Sequence, residues 1–67
     1  MNVKVNGKIY EFTDAKNIIG ILERFDIRQL SGIAVALNDS VVPKSEFEKI
    51  LIKDGDVVEI IRATQGG

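Results

Sequence analysis

The chain has 67 residues and a formal net charge of −1, and it contains neither cysteine nor histidine. These absences exclude disulfides, thiol nucleophiles and zinc sites, and a chain this short buries only about 60% of its unfolded surface, too little for a deep catalytic cleft. With scattered charges and no long apolar run, we expect one soluble cytoplasmic domain that is not an enzyme and binds no metal, nucleic acid or membrane.

The first twelve residues have the pattern of a β-hairpin. Val3 and Val5 alternate with polar residues, which is the period of a half-buried strand. Asn6-Gly7 follows and is the strongest short hairpin signal. We therefore predict a second strand from Lys8 to Phe12.

A helix is predicted from Lys16 to about Asp26. Its apolar residues recur at the spacing of one helix face: Ile18, Ile21, Leu22 and Phe25. Thr13 or Asp14 is the expected N-cap. Gly20 lies inside this helix, and we interpret it as allowing close packing against a sheet.

Three more strands are predicted after the helix. The apolar segment 33–37 forms the third, and Val41-Val42, directly before Pro43, forms an edge strand because proline cannot donate a ladder hydrogen bond. A short helical turn over 45–50 should point Phe47 and Leu51 inward. The last strand runs over 57–63.

This element order predicts an α+β fold of the β-grasp, ubiquitin-like type. The mixed sheet should have about five strands, with the first and last side by side in the middle and one main helix packed on one face. We expect residues 1–63 to form this domain. The predicted core is Val3, Val5, Ile18, Leu22, Phe25, Val35, Leu37, Val58 and Ile60.

The sheet face opposite the helix should carry an apolar docking patch. On strand parity, the patch comprises Ala34, Ala36, Val57 and Ile61. Asp54 and Asp56 flank a glycine, and we interpret them as a solvated turn and not as a metal site, because two carboxylates make a weak ligand set.

The last four residues, Thr64, Gln65, Gly66 and Gly67, should form a flexible tail. A glycine carboxylate has no side-chain bulk near its carbonyl carbon, so such a tail can enter a narrow active site. We therefore expect the Gly67 carboxylate to be the working group, with residues 64–66 threading into a partner.

Two segments resemble the bacterial sulfur-carrier family of thiamine biosynthesis, ThiS. The segment 37–47, LNDSVVPKSEF, is similar to that family's Asn-x-x-x-Val-Pro-Arg-x-x-Trp region, and the segment 54–61, DGDVVEII, leads to a short tail ending in Gly-Gly. Lys44 and Phe47 replace the family's usual Arg and Trp. The related molybdopterin carrier family, MoaD, shares the Asp-Gly-Asp turn and the terminal Gly-Gly.

The resemblance implies a specific function for Gly67. A ThiF-like enzyme would adenylate its carboxylate, using ATP and Mg²⁺ that this chain does not itself bind. Sulfur from a persulfide donor would then give a thiocarboxylate, which would supply sulfur to thiazole synthase, ThiG. This chemistry needs no cofactor and no catalytic residue in the chain itself.

Other functions remain open from the sequence. A molybdopterin-type carrier or a ubiquitin-like modifier, joined through Gly67 to target lysines, would share the fold and the tail. A plain β-grasp interaction module, such as an RNA-binding regulatory domain, would give the Gly-Gly ending no role and would favour a basic face. The near-neutral charge argues against that last alternative.

Overall fold

A computed structural model describes residues 1–63, so the expected tail at 64–67 lies outside the described part of the chain. The elements, in chain order, are β1 (Asn2–Val5), β2 (Lys8–Glu11), α1 (Ile18–Arg24), β3 (Ile33–Leu37), β4 (Ser40–Val42), a 3₁₀ helix (Lys44–Glu46) and β5 (Val57–Arg62). The sheet order is β2-β1-β5-β3-β4, with β1 and β5 parallel and the other pairs antiparallel. This five-stranded mixed sheet confirms the β-grasp prediction.

Both hairpins close with two-residue turns of the same type. Asn6 and Gly7 have φ values of 50° and 86°, and Asn38 and Asp39 have values of 50° and 72°. Two consecutive positive φ angles define the type I′ turn, whose twist matches that of the flanking strands. These turns set the register of both pairs, so side-chain alternation assigns each strand residue to one face of the sheet.

The core lies between the sheet and α1 and contains most of the predicted residues. Val3, Val5, Ile18, Leu22, Val35 and Val58 are buried, whereas Phe25, Leu37 and Ile60 are only partly buried. The core also includes Phe47, which was predicted separately to point inward. It further includes six residues that the predicted core left out: Phe12, Ile21, Ile27, Ile33, Val42 and Ile52.

The helix begins later than predicted, and the predicted N-cap is wrong. Asn17 is the N-cap, and its side-chain Oδ1 accepts a hydrogen bond from the Gly20 amide at 2.8 Å. Lys16 lies before the helix, and its carbonyl accepts a hydrogen bond from the amide of Ile52 at 2.8 Å. Thr13 and Asp14 therefore lie in the connection before α1.

The interpretation of Gly20 also needs correction. A Cβ placed on Gly20 would lie 3.0 Å from Cδ of Lys16 and 3.5 Å from Oδ1 of Asn17. These atoms belong to the segment that leads into the helix, and not to the sheet. The small residue therefore leaves room for the N-terminal cap and the Lys16 side chain.

The helix ends before Asp26 because the chain turns there into the left-handed conformation. Asp26 has a φ of 61°, and the amide of Ile27 donates to the carbonyl of Leu22 at 3.0 Å. The Asp26 amide donates to the carbonyl of Glu23, also at 3.0 Å. These two bonds form a Schellman motif, with aspartate where glycine is more usual.

The prediction that Leu51 points inward is wrong, whereas that for Phe47 is confirmed. Leu51 is 62% exposed and Phe47 is 1% exposed. The chain around Leu51 is extended and pairs with Asn17, so its side chains alternate and Ile52 points inward instead. The prediction failed because it extended the helical spacing of 45–50 to Leu51, where the chain is extended.

The described part of the chain contains no helix with the length and apolar character needed to cross a bilayer.

Candidate functional site: the open sheet face and the end of β5

The open face is the side of the sheet that points away from α1, and β5 brings alternate residues to it. Val57, Glu59 and Ile61 point to this face, whereas Val58 is fully buried on the helix side. Ile61 is 55% exposed, and it lies directly opposite Ala34 in the antiparallel β3–β5 ladder. The structure thus places an apolar pair at the end of the sheet where β5 leads toward the tail.

The other two expected patch residues share the open face but lie further along it. Ala36 is opposite Glu59 on β5 and opposite Val41 on β4, and it is largely buried by its neighbours. Val57 pairs with Lys4 of β1 at the far end. Glu59 lies between Val57 and Ile61 along the strand, so the apolar surface has two parts.

Two exposed apolar residues on this face were missing from the predicted patch. Ile9 is 65% exposed beside Lys4, and Val41 is 75% exposed beside Ala36. A groove of about 230 Å³ lies on the open face at the Val57 end of β5. It is lined by Asn2, Lys4, Ile9, Gly55 and Val57. The two-residue turns carried the signal for both residues, because they fix the hairpin registers. Those registers place Val41 opposite Ala36, and they place Ile9 opposite Lys4, which itself pairs with Val57.

The end of β5 is held on the β3 side as far as Ala63. Its amide donates to the carbonyl of Gly32 at 2.8 Å. Gly32 has a φ of 74°, and a Cβ there would lie 3.7 Å from Cβ of Ala63. The hydrogen bond from Ala63 thus continues the pairing with the β3 side one residue beyond the end of β5, next to the Ala34–Ile61 pair.

Both carboxylates of the Asp-Gly-Asp turn accept hydrogen bonds within the fold. Oδ1 of Asp54 accepts from the Asn2 amide at 2.6 Å, and Oδ2 of Asp56 accepts from the Lys53 amide at 2.8 Å. Oδ1 of Asp56 also accepts from the Asn38 side chain at 3.1 Å. Among residues 1–63, no three acidic side chains come together as a metal site.

The predicted tail residues, Thr64, Gln65, Gly66 and Gly67, lie outside the described residues. The described site therefore consists of the open face and the end of β5. An exposed apolar surface with a strand that leads from it to the terminus can bind a partner and direct the last residues toward it.

Comparisons with known proteins agree with this geometry. The family model described as "ThiS family" matches residues 3–67. The sulfur carrier protein ThiS of Escherichia coli is 27% identical over 67 residues, which cover the whole of both chains. The sulfur carrier protein ThiS of Thermus thermophilus is 35% identical over 54 residues, covering 81% of this chain and 83% of that protein.

The fold comparison gives the same family. The crystal structure of the thiamine biosynthesis protein ThiS from Geobacter metallireducens superposes with a TM-score of 0.83 and 32% identity, covering 100% of each chain. The family model matches nearly the whole sequence, and this superposition covers the whole chain, so the two comparisons together establish the family. The chain belongs to the ThiS family.

Proposed function

We propose that this chain is a sulfur carrier protein of thiamine biosynthesis and that the carboxylate of Gly67 is the group that carries the sulfur. The main support is the family match, which extends through Gly66-Gly67. The alignment with the Escherichia coli sulfur carrier covers both chains completely, so it also includes the C-terminal residues. The family and the names of its members support the sulfur-carrier role, and the chemistry at Gly67 is the proposed addition.

The first step would activate the terminal carboxylate. A carboxylate is a poor electrophile because it is anionic and resonance-stabilised. In the proposed step, a carboxylate oxygen of Gly67 attacks the α-phosphorus of ATP, pyrophosphate leaves, and an acyl-adenylate forms. A ThiF-like partner would bind the ATP and Mg²⁺, and the reaction would occur in the cytoplasm, where ATP is available.

The second step would introduce sulfur. The terminal sulfur of a persulfide attacks the Gly67 carbonyl carbon, AMP leaves, and an acyl disulfide forms. A thiol then attacks the donor-side sulfur of this disulfide, so the donor ends in a new disulfide and Gly67 ends as a thiocarboxylate. The thiocarboxylate would pass its sulfur to a thiazole synthase, ThiG.

The open face supports this proposal by offering a docking surface beside the tail. Ile61 is more than half exposed and lies six residues before Gly67. A partner that covers the Ala34–Ile61 pair would hold the start of the tail at its own surface. Since residues 64–67 have small or polar side chains, such a partner would grip them chiefly through main-chain hydrogen bonds.

The proposal is tested by moving or crowding the terminal carboxylate without touching the fold. We expect one added residue after Gly67, or Gly67→Val, to abolish ATP–pyrophosphate exchange by the ThiF-like partner. The added residue displaces the carboxylate from the α-phosphate, and the valine side chain crowds the carbonyl. Gly66→Val should be nearly as damaging in a narrow channel.

Thr64→Ser is a matched control because it changes the tail without altering its length or adding bulk, and it should exchange like the unaltered protein. Normal exchange and sulfur transfer by the extended protein would contradict the proposed role of the Gly67 carboxylate. Isopeptide adducts to lysines, in place of a thiocarboxylate, would instead indicate a ubiquitin-like modifier.

A further inference from the structure

Asn6 makes contacts that its place in a hairpin turn does not require. Its side-chain Oδ1 accepts from the Ile60 amide at 2.7 Å, and its Nδ2 donates to the Ile60 carbonyl at 3.3 Å. Its backbone amide also donates to the carbonyl of Val58 at 3.0 Å. One residue of the first hairpin thus holds two successive positions on one edge of β5.

These contacts occur where β1 can no longer support β5. The parallel pairing of β1 with β5 ends at the Val5–Val58 pair, after which β1 turns into the hairpin. The Asn6 amide group replaces the missing strand, because it satisfies both the donor and the acceptor of Ile60. Backbone groups alternate between the two edges of a strand, so Ile60 is the next residue after Val58 on this edge.

We propose that Asn6 is a positioning residue that fixes the direction in which β5 delivers the tail to the adenylating partner. This inference rests on the proposed function. On its β3 edge, the strand is hydrogen-bonded as far as Ala63. On the opposite edge, the bonds from Asn6 to Ile60 are the last ones that the described residues make before the tail. A strand end held on both edges is already ordered before binding, and less conformational entropy is lost when a partner takes the tail.

Asparagine is suited to both roles at this position. Asn6 has a φ of 50°, which asparagine tolerates better than most residues. Its side-chain amide has both an acceptor and a donor, so it can bind the N–H and the C=O of one backbone residue at the same time. Glycine would satisfy the turn equally well but would leave Ile60 without this partner. The substitution Asn6→Gly therefore separates the two roles.

Asn38 provides a matched control. It occupies the same position of a type I′ turn with the same φ of 50°, and its Oδ1 accepts from the Val57 amide at 2.9 Å. It therefore holds β5 by the same kind of bond, but at the end of the strand far from the tail. Comparing Asn6→Gly with Asn38→Gly cancels the general cost of losing such a bond.

The first measurement is amide hydrogen exchange of each folded variant. Asn6→Gly should reduce protection of the Ile60 amide by about tenfold, while Asn38→Gly should leave this amide within about twofold of its original protection. Unchanged protection of Ile60 in Asn6→Gly would overturn the inference.

The second measurement is ATP–pyrophosphate exchange by a ThiF-like enzyme at varied carrier concentration. Asn6→Gly should raise KM by about three- to tenfold and leave kcat nearly unchanged, because the ordering cost falls on binding. Asn6→Asp retains the shorter bond to Ile60 and should recover part of this loss, whereas Asn38→Gly should stay within about twofold of the original protein.

The outcomes separate this inference from the proposed function. Exchange by the unaltered protein with equal KM for Asn6→Gly and Asn38→Gly would overturn the inference alone. No exchange by the unaltered protein would overturn the proposed function and the positioning role together.

Discussion

The two faces of the sheet carry similar apolar residues but differ in what covers them. On the helix side, Val3, Val35 and Val58 are completely buried beneath α1 and the segments that flank it. On the open face, Ile61 and Val41 are 55% and 75% exposed. The same β-branched residue types serve both faces, so composition alone does not distinguish the core from an exposed surface.

This difference separates residues that stabilise the fold from residues that are available to a partner. Burial of a large apolar side chain contributes roughly 1.5–3 kcal/mol to the free energy of unfolding, and much of that contribution is absent at a position that remains exposed to solvent. Substitutions on the covered face should therefore reduce stability, and those on the open face should reduce binding.

The largest effect is expected at Phe47, which packs against the covered face. Phe47→Ala should lower the free energy of unfolding by about 3–5 kcal/mol, because it leaves a cavity in a small core. Denaturant titration followed by circular dichroism measures this loss. Leu51→Ala is the control, since Leu51 is exposed, and it should change stability by less than about 0.5 kcal/mol. Equal losses would mean that the two positions are not distinguished by burial.

The next effect concerns Ile61 on the open face. Ile61→Asp should leave the fold intact but weaken binding to the ThiF-like enzyme and to thiazole synthase by about 1–3 kcal/mol, because a carboxylate would be desolvated in an apolar contact. Calorimetry measures both affinities.

Leu51→Asp is the matched control for Ile61→Asp, because it adds the same charge at an exposed leucine away from the sheet. It should bind like the unaltered protein. Full affinity of Ile61→Asp for both partners would place the docking surface elsewhere.

A smaller effect is expected at the start of α1, which covers the core. Asn17→Ala removes the side-chain acceptor of the Gly20 amide and should reduce the free energy of unfolding by about 1 kcal/mol. The Asn17 Nδ2 also donates to the carbonyl of Glu48 at 3.2 Å, and both Asn17→Ala and Asn17→Asp lose this bond. Asn17→Asp retains the acceptor for Gly20 and should keep part of the stability. If Asn17→Ala caused no loss, the cap would not stabilise the helix.

The smallest effect is a gain in stability at the other end of α1. Asp26→Gly should raise the free energy of unfolding by about 0.5 kcal/mol, because glycine adopts a positive φ without steric cost. The ion pair between Asp26 and Arg28, at 3.6 Å and well exposed, contributes little that would be lost. A decrease in thermal stability would show that the aspartate has another favourable role.

The strand pattern was predictable from the sequence because it depends on local rules. Alternating valines and the Asn6-Gly7 turn determine the first hairpin, and the parity of β5 placed Ile61 on the open face. The Asn6 contact with Ile60 was not predictable, because it joins residues 54 positions apart. The same limit applies to the capping role of Asn17. That role depends on a distant segment, because Asn17 pairs with Leu51 and the preceding Lys16 carbonyl accepts from the Ile52 amide.

Within the candidate site, the sequence indicated a shared face but not its exposure. Ala34 and Ile61 were assigned to the same side and are directly opposite each other. Ala36 was assigned to that side as well, yet its neighbours on β4 and β5 largely bury it. Exposure depends on the lengths of adjacent side chains across the ladder, and a single strand pattern does not contain this information. The roles assigned to Thr64, Gln65, Gly66 and Gly67 stay predictions.

The most direct test of the account is the intact mass of the protein purified from its native host under conditions that preserve thioacids. We predict a fraction whose mass increase corresponds to exchange of one oxygen for one sulfur, located at Gly67 by fragmentation and absent when the ThiF-like enzyme is removed. A protein that shows only the unmodified mass while the host is making thiamine, or one that carries its sulfur at another position, would contradict the central claim.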